Sequence, residues 1–210
     1  MNLSQNAAVV HVVDDDASMR NSLARLLHAA GFETRTYPSA AEFLAADRGD
    51  APGCMVLDLG LPGMSGVELQ DAMTGAKGAL PIVFLTGRGD IETGVRAMKA
   101  GAVDFLTKPV KPEVLLHAVG AALSRDAERR RRGDQAALLL ARFHKLTSRE
   151  REVYEGVVGG KLNKQIADQL GTSIRTVKAH RAQVMQKMEA RSVADLVRLA
   201  DRLSGVAGRA

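Results

Sequence analysis

The chain has 210 residues, of which 46% are hydrophobic and 25% are charged, and its formal net charge is +5. This size suits one or two domains, and we expect two. The one cysteine, Cys54, excludes a disulfide framework and a cysteine-based metal cluster. No segment approaches the roughly 20 apolar residues that span a bilayer. We therefore predict a cytoplasmic protein that is neither exported nor membrane-bound.

The first 124 residues alternate short apolar runs with helical patterns. The apolar runs lie at 8–13, 32–37, 54–58, 82–86 and 103–107. This alternation predicts an α/β domain with a doubly wound, five-stranded parallel sheet that is covered on both faces by helices. Helix caps support it, because Asp16 can cap a helix that begins at Ala17, and Ser39 with Glu42 forms a capping-box pattern.

Polar residues end or follow several of these apolar runs. They are Asp14, Asp15, Asp58, Thr86 and Lys108. Because the carboxyl ends of parallel strands meet at one edge of a sheet, we expect these side chains to come together. Carboxylates held so close need a cation, and hard oxygen ligands favour Mg2+. With a hydroxyl and an ammonium group beside them, they form a set suited to handling a phosphoryl group.

In order and spacing, these residues resemble those of the CheY-like receiver domain of two-component response regulators, over residues 8 to about 124. The stretches 57–66 and 101–106 match that family as well. The resemblance implies the flavodoxin-like version of the doubly wound fold. It also implies that Asp58 takes a phosphoryl group from a sensor histidine kinase and becomes an aspartyl phosphate.

The same resemblance implies roles for the other residues at this edge. The ligands of Mg2+ would be Asp14, Asp15, one oxygen of Asp58 and the backbone carbonyl of Gly60. Lys108 would place its ammonium group on a phosphoryl oxygen, and the peptide bond from Lys108 to Pro109 would be cis.

A switch is implied too. Thr86 would donate its hydroxyl to the phosphoryl group, and Phe105 would turn inward into the space that Thr86 leaves. This movement would change the face formed by the helix 91–100 and the strand 103–107. We expect that face to form a homodimer after phosphorylation.

An enzyme remains as an alternative for this domain. Residues 14–18 loosely resemble the start of haloacid-dehalogenase-type phosphatases, in which the first aspartate is the nucleophile, so Asp14 would be phosphorylated. That alternative leaves Asp58, Thr86 and Lys108 unexplained, and it lacks room before the linker for the cap and the later acidic pair of that family. We therefore favour the receiver.

The balance of charge changes after residue 124. Residues 1–124 hold 10 basic and 14 acidic residues, whereas residues 125–210 hold 19 basic and 10 acidic ones. We divide the chain into a receiver domain at 1–124, a charged and largely helical linker at 125–145, and a basic domain at 146–210. Such a basic domain indicates a polyanionic partner, and nucleic acid is the obvious candidate.

The basic domain carries four helical patterns, at 148–159, 163–170, 174–189 and 192–203. They predict a small all-α domain, and the short turn 171–173 is what a helix-turn-helix requires. Three stretches resemble the LuxR-type helix-turn-helix of the NarL/FixJ class of response regulators: 146–153, 163–167 and 176–180. Within that class, the stretch 94–105 is most similar to the FixJ-like branch.

The third of these helices is the expected recognition helix, and helical geometry sorts its residues into two stripes. The stripe expected in the core is Ile174, Val177, Val184 and Met188. The residues expected to face the major groove of DNA are Arg175, Thr176, Lys178, Ala179, Ala182, Gln183 and Gln186. Lys164, Ser173 and Thr176 suit phosphates, and the head of Arg181 is expected at a phosphate or an acidic side chain.

The two resemblances cover nearly the whole chain and imply a transcriptional response regulator rather than an enzyme. Phosphorylation of Asp58 would promote dimerisation and binding to double-stranded promoter DNA, and the dimer would activate transcription by RNA polymerase. The alternative is a phosphorylation-independent DNA-binding regulator, whose receiver serves only for dimerisation or ligand sensing.

Overall fold

The computed structural model describes residues 8–73, 79–87 and 91–207. It divides into two compact units, Met1–Arg129 and Arg130–Ala210. The elements that begin in the first unit are β1 (Val9–Val13), α1 (Ala17–Ala29), β2 (Glu33–Tyr37), α2 (Ala40–Ala45), β3 (Gly53–Asp58), α3 (Gly66–Met73), β4 (Ile82–Thr86), α4 (Ile91–Lys99), β5 (Asp104–Thr107) and α5 (Pro112–His144). Helix α5 continues through nearly all of the range that the sequence predicts as a helical linker.

The strands form a parallel sheet in the order β2-β1-β3-β4-β5, which confirms the predicted doubly wound α/β fold. β1, β3 and β4 are almost wholly buried, because helices cover both faces of the sheet. β2 lies at an edge and exposes Glu33, Arg35 and Thr36. The strand order reverses between β1 and β3, and in such sheets ligands bind at the carboxyl ends of the strands on either side of this reversal.

Two apolar cores hold the sheet from its two sides. Val13, Leu57 and Phe84 belong to one core, and Val12 and Val56 belong to the other. Successive residues of a strand face opposite sides, and the register pairs Val13 with Leu57 and Leu57 with Phe84. The ends of β1, β3 and β4 therefore lie side by side on a rigid frame.

The second unit contains α6 (Ser148–Val158), α7 (Asn163–Leu170), α8 (Ile174–Lys187) and α9 (Val193–Ala207), as the helical patterns predicted. A capping box of Thr147 and Glu150 begins α6. Gly171 ends α7 with a φ of 58°, which a glycine adopts without strain and which allows the tight turn into α8. In the described part of the chain, none of the helices is long and apolar enough to cross a membrane.

Candidate phosphoacceptor site and nucleic-acid interface

Three carboxylates meet where β1 and β3 end. Asp14 and Asp15 follow β1, Asp58 ends β3, and one oxygen of each lies within 4.8 Å of the others. Asp14 is buried, Asp58 is half-buried and Asp15 is exposed. Such a group suits Mg2+, which is usually bound by one or two protein carboxylates and keeps several of its waters. The structure thus brings together the acidic residues that the sequence places at strand ends.

Lys108 supplies positive charge at this edge. Its Nζ atom lies 2.7 Å from Oδ2 of Asp14 and 3.3 Å from Oδ1 of Asp58. Burial alone would lower the pKa of Lys108, but the hydrogen bond to Asp14 and the charge of Asp58 outweigh burial and raise that pKa. The ammonium group is therefore charged at neutral pH. The backbone N–H of Lys108 donates to the carbonyl of Thr86 at 2.7 Å, and the bond from Lys108 to Pro109 is cis.

Local hydrogen bonds fix the loop after β1. Oδ1 of Asp14 accepts from the N–H of Asp16 at 2.9 Å, and the guanidinium of Arg20 donates to the carbonyl of Asp14 at 2.7 Å. Oδ1 of Asp16 accepts from the N–H groups of Ser18 and Met19, so its predicted role as the cap of α1 is confirmed. The contact of Arg20 is not predictable from the sequence, because an arginine on a helix does not reveal which backbone group it will reach.

A cleft of about 730 Å3 opens beside this group. Its lining includes Asp58, Gly60, Thr86, Lys108, Thr93 and Arg96. A Cβ atom at Gly60 would lie 3.9 Å from Oδ2 of Asp58, so the loop after β3 passes close to this carboxylate. The last two lining residues belong to α4, and no pattern in the sequence predicted them, because the packing of α4 against β5 places them there.

Thr86 and Phe105 lie on neighbouring strands of the sheet. Thr86 ends β4, is buried and lines the cleft. Phe105 in β5 pairs with Phe84 in β4, and their ring centroids are 6.4 Å apart. The ring of Phe105 also lies against α4, since a Cβ atom at Gly94 would come 3.2 Å from it. Phe105 therefore connects the strand that carries Thr86 with α4 by direct packing.

The outer face of α8 is exposed to solvent. All seven residues that the sequence assigns to the major groove are exposed, and Val177, Val184 and Met188 of the opposite stripe are 0% exposed. Ile174 is 44% exposed, so the prediction that it belongs to the core is wrong. It is the first residue of α8, and because helical side chains lean toward the N-terminus, its side chain points past the end of the core.

Several of the residues that the sequence predicts at phosphates form hydrogen bonds within the second unit. Oγ of Ser173 caps α8 by accepting from the N–H of Thr176 at 3.1 Å, and it lies 2.8 Å from the hydroxyl of Thr176. The half-buried Arg181 donates to Oδ1 of Asn163 at 2.7 Å, because its position on the inner stripe carries the guanidinium to the start of α7. Its partner is thus an amide and not an acidic side chain. Lys164 is exposed on α7.

Two family profiles match the sequence. The profile of the response regulator receiver domain matches residues 10–120, and that of the luxR family of bacterial regulatory proteins matches residues 144–200. The first match contains the three clustered carboxylates, Thr86 and Lys108, and the second contains α8. Both profiles describe regulatory proteins.

Characterised proteins resemble the chain over most of its length. Nodulation protein W of Bradyrhizobium diazoefficiens is 46% identical over 93% of this chain and 86% of its own. The transcriptional regulatory protein FixJ of Azorhizobium caulinodans is 44% identical over 94% of this chain and 93% of its own. Among solved structures, the response regulator StyR matches with a TM-score of 0.83 and 46% identity, over 93% of this chain and 99% of that chain.

Proposed function

Because the chain belongs to the response regulators that join a receiver domain to a DNA-binding domain of the luxR family, we propose that a sensor histidine kinase phosphorylates Asp58 and thereby controls binding to promoter DNA. The observation that carries this proposal is the difference between the clustered carboxylates. Asp58 is half-buried and lines the cleft, whereas Asp14 is buried and hydrogen-bonded through both of its oxygens.

The chemistry follows from this arrangement. An oxygen of Asp58 bonds to the phosphorus as the bond between phosphorus and the kinase histidine breaks, and that histidine keeps the electron pair. Asp14, Asp15, Asp58 and the carbonyl of Gly60 would hold Mg2+, whose charge neutralises the transferring oxygens. Lys108 already contacts Asp58 and would place its ammonium group on the incoming phosphoryl group.

The phosphoryl-accepting residue can be tested by substitution. Asp58→Asn should abolish acid-labile labelling by a phosphorylated kinase or by radiolabelled acetyl phosphate, because the amide cannot accept the group. Asp71→Asn is the matched control, since Asp71 is an exposed carboxylate that lines the same cleft. Label that persisted on Asp14 in the Asp58→Asn chain would instead support the phosphatase-like alternative.

We propose that the phosphorylated receiver forms a homodimer through the face of α4 and β5. Val95 and Met98 expose 47% and 44% of their surface on α4, and the ring of Phe105 packs against this helix at Gly94. Hydrogen bonding of Thr86 to the phosphoryl group would let Phe105 turn inward and change this face. Beryllofluoride, a phosphoryl mimic, with Mg2+ should therefore dimerise the chain.

Charge introduced on this face should prevent dimerisation. Val95→Asp should leave the chain monomeric in light scattering with beryllofluoride and Mg2+, because the dimer would bury an unpaired carboxylate. Leu44→Asp is the control, since Leu44 is 42% exposed but lies on α2. Equal effects of the two substitutions would show that the α4–β5 face has no special role.

On DNA, each protomer of the dimer would place one α8 in the major groove of a half-site. The exposed Arg175, Lys178 and Gln183 could read bases, and Lys164 could hold a phosphate. We propose that the bound dimer activates transcription by RNA polymerase in the cytoplasm, where the promoter and the kinase domain of a sensor would meet it. The matches to a receiver domain and to the luxR family of bacterial regulatory proteins support this proposal.

A further inference from the structure

The recognition helix exposes an apolar side chain at its N-terminus. Ile174 is 44% exposed, although it lies only one turn before the fully buried Val177. Met185, which helical geometry places on the same side as Ile174, is packed against the core of this unit, but Ile174 is not among the residues of that core. Its apolar surface is therefore free to contact a partner outside the domain.

The neighbours of Ile174 indicate that this partner is DNA. Lys178 follows it by one helical turn on the same side, its neighbours in the chain are Ser173 and Arg175, and all three are exposed. Cationic and hydroxyl groups around an apolar side chain favour a polyanion over a second protein surface of apolar character. In helix-turn-helix domains, the N-terminal residues of the recognition helix approach the base edges most closely.

Base-edge chemistry then restricts the contact. The side chain of isoleucine has no hydrogen-bonding group, and the C5-methyl of thymine is the apolar group that bases present in the major groove. Ala179 and Ala182, farther along the exposed face, have short side chains that offer no hydrogen bonds. A longer apolar side chain at the helix start is well suited to reach a methyl group that these alanines cannot.

We propose that Ile174 contacts the C5-methyl group of a thymine and thereby selects thymine at one position of each half-site. This inference rests on the function proposed above, since it requires α8 to enter the major groove. The contact buries the methyl group and the exposed part of Ile174 together. Loss of one buried methyl corresponds to about a fourfold loss of affinity, from about 0.8 kcal/mol per group.

The test removes the two partners of the contact separately and together. Binding sites are first selected from random duplexes with the full chain in the presence of beryllofluoride and Mg2+. Each thymine of a selected site is then replaced by deoxyuridine, which lacks only the C5-methyl group. For the wild-type chain, one thymine per half-site should lose about fourfold in affinity, and for Ile174→Ala the same replacement should have no effect.

Two further variants separate this contact from a general loss of structure. Ile174→Val keeps a branched apolar side chain and should retain part of the methyl dependence. Leu162→Ala is the matched control, because Leu162 is 70% exposed at the start of α7, outside the recognition helix, and its methyl dependence should equal that of the wild type.

The outcomes distinguish this inference from the proposed function. Deoxyuridine losses that were the same in Ile174→Ala as in the wild type would overturn the contact while leaving DNA binding intact. A wild-type chain that selected no sequence at all would overturn the proposed function and this inference with it.

Discussion

The acidic edge of the sheet and the outer face of α8 hold their charges in opposite ways. At the sheet edge, Asp14 is 1% exposed and its charge is compensated within the chain, by Lys108 at 2.7 Å. On α8, Arg175 and Lys178 are exposed, and neither forms an ion pair with another of the described residues. In the proposed function, the first region is thus organised before a ligand binds, whereas the charges of the second region would be compensated by DNA.

In the second unit, contacts within the chain hold the helix α8 in position. Lys187 near the end of α8 pairs with the buried Glu150 at 2.6 Å, and Arg181 binds Asn163 at the start of α7. These contacts lie on the inner side of α8 and fix its position relative to α6 and α7. We therefore expect substitutions at the sheet edge to have large effects on stability, and substitutions on the exposed face of α8 to affect sequence specificity.

The largest effect should come from removing the charge that compensates the sheet edge. Lys108→Ala leaves the buried carboxylate of Asp14 without its ammonium partner, which should lower the free energy of unfolding of the first unit by about 3 to 5 kcal/mol in EDTA. Mg2+ should restore more stability to this variant than to the wild type, because the cation no longer competes with an ammonium group. Urea unfolding with and without Mg2+ measures both.

Lys111→Ala is the control for this prediction, because Lys111 is an exposed lysine three residues away. It should change stability by less than about 0.5 kcal/mol. If the two lysine variants unfolded alike, the sheet edge would not depend on its internal ion pair.

The next effect concerns acid stability of the first unit. His11 is 3% exposed within β1, and burial, with the charges of Arg48 and Arg35, lowers its pKa from 6.5 to about 4. The folded state thus favours the neutral His11 ring. The contribution of His11 to the free energy of unfolding of the first unit is complete above pH 6.5 and is lost as the pH falls from 6.5 to about 4. The loss should be about 1.4 kcal/mol per pH unit.

Unfolding of this unit can be followed separately by tyrosine fluorescence. The two tyrosines, Tyr37 and Tyr154, lie in different units, and the chain has no tryptophan. In a Tyr154→Phe background, tyrosine fluorescence follows the first unit alone during urea unfolding. His11→Leu should remove the slope between pH 6.5 and 4, and His117→Gln, at an exposed histidine, should keep it. A slope that survived His11→Leu would assign the acid sensitivity to other groups.

On the face of α8, the expected effect is on discrimination between sequences. Lys178→Ala should weaken binding to the selected site by about 1 to 3 kcal/mol and leave random DNA nearly unaffected, if Lys178 reads a base. Lys164→Ala should weaken both alike and reduce the salt slope by about one, as a phosphate contact does. Fluorescence anisotropy at several salt concentrations separates the two, and equal losses on random DNA would refute base reading by Lys178.

The smallest effect should come from the ion pair between Glu150 of α6 and Lys187 of α8. The hydrogen bond from Lys187, then that from Thr147, lowers the pKa of Glu150 below 4.5. The stabilisation is therefore present above pH 4.5 and is lost as the pH falls through the lower folded value. Unfolding of the second unit, followed by Tyr154 in a Tyr37→Phe background, should show this loss in the wild type. Glu150→Gln should unfold with a flatter dependence in the same range.

The sequence predicted the sheet edge better than the details of α8, and the reason is physical. Asp58 and Thr86 end strands and Asp14 directly follows one. The carboxyl ends of parallel strands meet at one edge of the sheet, whatever the arrangement of the helices. Helical periodicity separated the buried and exposed residues correctly in the middle of α8. It takes no account of where a helix begins, so it placed Ile174, the first residue of α8, in the core. The hydrogen bond from Arg181 to Asn163 joins residues of different helices, and no local pattern contains that information.

Occupation of the phosphoryl site should change the affinity for DNA, and this is the central claim to test. We would measure binding of the full chain to its selected site with Mg2+, with and without beryllofluoride, for the wild type and for Asp58→Asn. We expect the mimic to raise the affinity of the wild type by at least about fivefold and to leave Asp58→Asn unchanged. Equal affinities of the wild type in both conditions would contradict the account and favour a regulator that binds DNA independently of phosphorylation.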